Sequence, residues 1–142
     1  MAFDDDILPP SARVQTWPEA LMDFIEERRA APLVWGENDC CAFAAEWVRR
    51  ATGRDVFAPW AGYHTALAAA RKVADAGGLE AIWTGILGAP IAAPFAKRGD
   101  VVLVLLEDRL SAAVCIGAQA AGPGEAGLVF VGMSTAQCAW AV

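Results

Sequence analysis

The chain has 142 residues, a formal net charge of −6, and a composition that is 56 % hydrophobic and 20 % charged. Such a length suits one domain with one core, and so apolar a composition excludes a disordered chain. The cations form short pairs such as Arg49-Arg50 and Lys97-Arg98 and no block, which disfavours nucleic-acid binding. The longest apolar run, 101–106, is far short of the roughly 20 residues that a membrane span requires.

Residues 1–15 read as an extended arm, because Asp4-Asp5-Asp6 and Pro9-Pro10 both resist helix. This acidic start does not resemble a signal peptide, so the chain is expected to be made in the cytoplasm, and it stays there or leaves within a larger assembly. The rest, 16–142, reads as a single domain with no internal repeat. A first helix is expected from Thr16, as N-cap, to about Ala30, with Trp17, Leu21, Phe24 and Ile25 on one stripe. A second is expected over 39–51, opened by Asn38 or Asp39 and closed by Gly53. Its apolar face is Cys40, Phe43, Ala44, Trp47 and Val48, at the i, i+3, i+4, i+7 and i+8 spacing.

A loop over 55–62 holds Phe57 and Trp60, and Trp60 is the best candidate for an exposed anchor. Helices are expected over 63–76, stopping at Gly77-Gly78, and over 79–87, stopping at Gly88. The C-terminal third changes character. Strands are expected over 101–106, 110–116 and 128–131, with shorter ones over 119–121 and 139–142. Gly122-Pro123-Gly124 reads as a surface turn, since a phosphate loop would need a Lys and a following Ser or Thr. Helices first and short, tightly connected strands afterwards indicate an α+β fold with an antiparallel sheet.

The four cysteines lie at 40, 41, 115 and 138 without CxxC spacing, so no zinc site is indicated. Cys115 and Cys138 read as small buried hydrophobes. Glu37, Asp100 and Glu125 have no spacing of a metal cluster and read as solvated acids; no cofactor is called for. Cys40 is different. At a helix N-terminus, unpaired N–H groups and the helix dipole favour a thiolate, so Cys40 is a candidate nucleophile; the alternative is a buried thiol. Cys41, the next residue, is expected to point to another face. The Asp39 carboxylate would cap the helix while opposing ionisation of Cys40.

A helix opened by Asp39-Cys40-Cys41-Ala42-Phe43-Ala44, followed later by Arg98-Gly99-Asp100-Val101 at a strand start, resembles the NlpC-type cell-wall endopeptidases of the papain-like cysteine peptidases. The resemblance spans about 30–131. As a whole, the chain looks more like an uncharacterised family coded in phage and prophage tail modules, marked by Asn38-Asp39-Cys40-Cys41, Arg98-Gly99-Asp100-Val101-Val102, and Gly127-Leu128-Val129-Phe130-Val131 with Trp140. The implied fold is papain-like, with N-terminal helices packed on a C-terminal antiparallel sheet.

The resemblance places the catalytic histidine at the start of the strand after the turn, where this chain has Ser111-Ala112-Ala113-Val114-Cys115. Ser111 or a neighbour stands at that position, and a serine hydroxyl is not basic enough to deprotonate a thiol. The orienting polar residue would fall near Gln119. The only histidine, His64, could serve as base only if the 53–62 loop crosses the cleft. The expectation is a degenerate peptidase domain serving as a structural or assembly component of a phage or prophage tail tip. Its partners would be neighbouring tail-tip proteins, its cleft filled or covered, and its destination the virion tail. The alternative is an active thiol hydrolase that uses Cys40 on peptidoglycan during cell entry.

Overall fold

The computed structural model describes residues 13–142. Of the expected arm, 1–12 lie outside the described residues, and 13–15 are anchored. Val14 N–H donates to Ala51 O at 2.7 Å, and the Arg13 guanidinium reaches Val142 O, Arg98 O and the Asp100 carboxylate.

The elements run α1 (Trp17–Arg28), α2 (Cys40–Thr52), α3 (Ala66–Asp75), α4 (Leu79–Leu87), then β1 (Val101–Leu106), β2 (Arg109–Cys115), β3 (Gln119–Gly124), β4 (Gly127–Gly132) and β5 (Cys138–Trp140). The fold is α+β: four helices, then one antiparallel sheet in the order β4-β3-β2-β1-β5. None of the helices among the described residues is long and apolar enough to cross a membrane.

α2 is the central helix. Phe43, Ala44, Trp47, Val48 and Ala51 pack on Ala112 and Val114 of β2 and on α1 through Phe24. The Trp47 indole donates to Gly99 O at 2.8 Å, which ties the helix to the turn that opens β1. Asp100 then closes this corner. Its Oδ1 accepts from Arg13 at 2.8 Å and from Val142 N–H at 3.2 Å, and its Oδ2 accepts from Lys97 N–H at 2.8 Å. Asp100 is therefore a buried structural node and not a solvated acid.

The other sheet face carries Val102, Val104, Ala113, Cys115 and Ala120 in a second apolar cluster. Cys115 is buried and Cys138 is half-buried. β1 and β2 are joined by Glu107-Asp108, both at positive φ (50° and 62°), as a two-residue hairpin of this twist demands.

Several expectations are corrected. Thr16 precedes α1, but its side chain makes no capping bond. α3 begins at Ala66 and not at Tyr63, because the Thr65 hydroxyl takes the cap by accepting from Ala68 N–H at 3.1 Å. Gly122-Pro123-Gly124 is the buried end of β3 and not a surface turn. A Cβ at Gly122 would come within 2.4 Å of Leu106 Cδ1, so a side chain there would require Leu106 to turn aside. Pro123 is tolerated because β2 pairs with β3 only at Val114–Ala121 and Cys115–Ala120, leaving no partner for a donor at 123.

Candidate functional site

The start of α2 is organised by Asp39. Its Oδ1 accepts from Ala42 N–H at 2.9 Å, and its Oδ2 accepts from Gly36 N–H at 2.7 Å and from the Tyr63 hydroxyl at 2.6 Å. This carboxylate is buried with three donors, so it caps the helix and pins the 35–38 turn and the 61–65 segment to it. Burial, with Asp39 beside it, pushes the Tyr63 hydroxyl far above its ordinary range, so Tyr63 stays protonated and donates to Asp39.

Beside this node lies a cavity of about 490 Å³. Cys40 and Cys41 form part of its wall, each partly exposed. Both thiols lie in the first turn of α2 and border the cavity; Cys41 packs against the main apolar cluster and Cys40 does not. The Cys41 thiol, within hydrogen-bond reach of Cys40, is the main influence holding the Cys40 thiol below its ordinary range; burial opposes it, the Ala112 N–H assists it, and the Asp39 charge opposes it. Cys41 is pushed up in return, first by donating to Cys40 and then by burial. The indole N–H of Trp83 lies against the Cys41 sulfur, off the line of a hydrogen bond, and is otherwise unpartnered.

To cleave an amide near neutral pH, a thiol needs a partner that stabilises its thiolate and then protonates the leaving amine. The adjacent residues Tyr63 and His64 divide at this point: Tyr63 turns inward to Asp39, and His64 is exposed. A Cβ on Gly36 would lie 3.7 Å from His64 Nδ1, which puts the imidazole beside the 35–38 turn. His64 does not line the cavity.

Ser111 is corrected as well. Alternation along β2 turns Ala112 and Val114 toward α2, while Ala113 and Cys115 join the opposite cluster. Ser111 therefore shares the far face, where its hydroxyl donates to Arg109 O at 2.9 Å. The strand positions that border the cavity are Arg109 and Leu110, at the start of β2. Gln119 is exposed at the start of β3, where its carbonyl accepts from Ile116 N–H. Ile116 is four residues beyond Ala112 along the chain, roughly 13 Å at about 3.3 Å per residue. The structure thus brings together Asp39, Cys40 and Cys41, and it leaves His64 and Gln119 outside.

The remaining walls are apolar. Val56, Phe57 and Trp60 come from the 53–62 segment, which does cross toward the cleft, and Ile82, Trp83 and Ile86 come from α4. Trp60 is half-buried against the core and not a free surface anchor. α3 supplies Ala66, Ala69, Ala70 and Val73 as a thin roof. Among the described residues, no group of three or more His, Cys, Asp or Glu is placed to hold a metal ion.

The family model described as a domain of unknown function, DUF6950, matches residues 12–142. The chain belongs to the DUF6950 family. The match covers both the Asp39–Cys41 helix start and the Gly99-Asp100 corner, so the cavity and its support are parts of one DUF6950 domain. No curated protein matches the chain.

Proposed function

We propose that this DUF6950 domain is a papain-like, NlpC-type scaffold that has kept the cysteine helix and lost the base, and that it works by binding as a structural or assembly component of a phage or prophage tail tip. The observation that carries the loss of catalysis is the surroundings of Cys40: Leu110 opens on the cavity from β2, and the lone imidazole of His64 is exposed outside it. Without an imidazole in reach, a Cys40 thiolate has no paired cation and a departing amine has no proton donor. The well-packed frame of α2, Trp47 and the Gly99-Asp100 corner supports a scaffold retained for its shape. The tail-tip setting comes from the family resemblance in sequence.

A prophage-induction experiment tests this directly. The chain is expected in purified tails, its deletion should block tail assembly, and Cys40→Ala should leave particle yield and infectivity unchanged. A chain absent from tails, or dispensable for them, contradicts the assembly role.

One observation favours the second reading, an active thiol hydrolase acting on peptidoglycan during cell entry. The Cys40 thiol is held low by Cys41 and Ala112 at the N-terminus of α2, where N–H groups suit an oxyanion. Cleavage of muropeptides by the purified chain, abolished in Cys40→Ala, would establish it.

A further inference from the structure

The cavity is not filled by any described part of the chain, and its chemistry limits what can fill it. At about 490 Å³ it falls within the size range of small-ligand sites. Three of its walls are α2, α3 and α4, and beyond the first turn of α2 their backbone N–H and C=O groups are largely used within the helices. An entering peptide backbone would find few partners there, and unpaired buried amides are costly. A hydrocarbon chain carries no such requirement.

The charges point the same way. The protein as a whole is at −6, yet the charged residues lining the cavity are Asp39, Lys72 and Arg109. Asp39 is consumed by its three donors. Lys72 and Arg109 have no carboxylate partner among the described residues: Lys72 Nζ donates to Ala61 O at 3.2 Å, and Arg109 lies 5.1 Å from the centre of the Trp35 ring. Arg109 reaches the cavity beside Trp35, and Lys72 reaches it beside Ala61.

We propose that this cavity is a binding site for an anionic amphiphile, with an aliphatic chain running under α3 against Ile82 and Trp83 and an anionic head at Arg109 and Lys72. α3 suits the role of a roof. Ala69 is its one buried residue, and the helix is flanked by Gly62, Gly77 and Gly78 at positive φ. The site goes beyond the assembly role and does not depend on it, since it needs neither a tail nor a catalytic base.

The test uses dodecanoate and dodecyltrimethylammonium, the same chain under opposite charges, each below its micelle concentration. Binding is read by tryptophan fluorescence and calorimetry on the full chain. Dodecanoate should bind saturably at one site, more tightly than the cationic surfactant, and should slow alkylation of Cys40 by iodoacetamide. Ala70→Trp, which projects into the cavity from an exposed helix position, should weaken binding by about tenfold or more. The double change Lys72→Glu and Arg109→Glu should weaken dodecanoate roughly three- to tenfold and narrow or reverse the preference for the anion. Ala66→Trp provides a second filling variant should Ala70→Trp not fold. Absence of saturable dodecanoate binding, equal affinity for both head charges, no protection of Cys40, or displacement of dodecanoate by an acidic apolar peptide that binds more tightly would overturn the proposal. Loss of the tail role with dodecanoate binding intact would leave it standing.

Discussion

The two ends of α2 are built to different standards. At the C-terminal end, Trp47, Val48 and Ala51 are fully buried, Gly53 closes the helix at φ 82°, and Arg49 and Arg50 pair with Glu46 while Arg50 also pairs with Glu27. At the N-terminal end, the cap is equally complete, but the two cysteines that follow it border an unfilled cavity. A helix built only for stability would fill that space, because voids forfeit packing energy. The contrast teaches that the frame and the site have been separated along one element: the far end holds the fold, and the near end is left open for something else.

The comparison can be broken at the packed end first. Trp47→Ala should cost about 3–5 kcal/mol in urea unfolding, because it removes a fully buried ring together with the bond to Gly99 O. A loss near that of a surface change would mean that the C-terminal end is not the anchor. Asp39→Ala comes next, at about 2–3 kcal/mol, since it deletes the cap and orphans the buried Tyr63 hydroxyl. Tyr63→Phe, which removes only that donor, should cost about 0.5–1.5 kcal/mol, and the two changes together should be less than additive.

The ion cluster gives a smaller effect with a defined sign. The hydrogen bond from Arg49 is the main cause that lowers Glu46 from its ordinary 4.5 to about 2. A carboxylate depressed by folding stabilises above its unfolded pKa, and the contribution is lost as the pH falls toward the folded value. The wild type should therefore lose more stability between about pH 4.5 and 2 than Glu46→Gln, measured by melts at fixed salt, and added salt should shrink the difference. Smallest of all is Cys40→Ala, expected within about 0.5 kcal/mol of wild type because the residue borders a cavity and belongs to neither apolar cluster. A cost comparable to Trp47→Ala would make Cys40 a core residue and remove the distinction between the two ends.

Much of this frame was legible in the sequence. The periodicity of Phe43, Ala44, Trp47 and Val48, the Asp39 cap and the Gly53 stop define α2 almost to the residue, since local chemistry fixes its ends. β1 and α4 are equally plain. The glycine-rich stretch at 117–127 misleads, because composition signals a turn while Gln119–Gly124 pairs residue by residue with β4.

The site was half legible. Asp39 and Cys40 announce themselves by position, but the role of Tyr63 depends on a 24-residue return of the chain that no local pattern encodes. Ser111 misled through a one-residue register, which in a strand exchanges the two faces. The signal that could have found the cavity is the spacing of Ala66, Ala69, Ala70 and Val73 at i, i+3, i+4 and i+7, an apolar helix face too small to fill the space opposite Ile82 and Trp83.

The central claim, that Cys40 is a perturbed thiol with no base, meets its most direct test in the pH dependence of iodoacetamide alkylation, followed at the Cys40 peptide by mass spectrometry in wild type and in His64→Ala. The account predicts a single rise, lying below that of an ordinary cysteine and unchanged by His64→Ala, because the imidazole lies outside the cavity. A low-pH plateau of reactivity, diagnostic of a thiolate–imidazolium pair and abolished in His64→Ala, would contradict it.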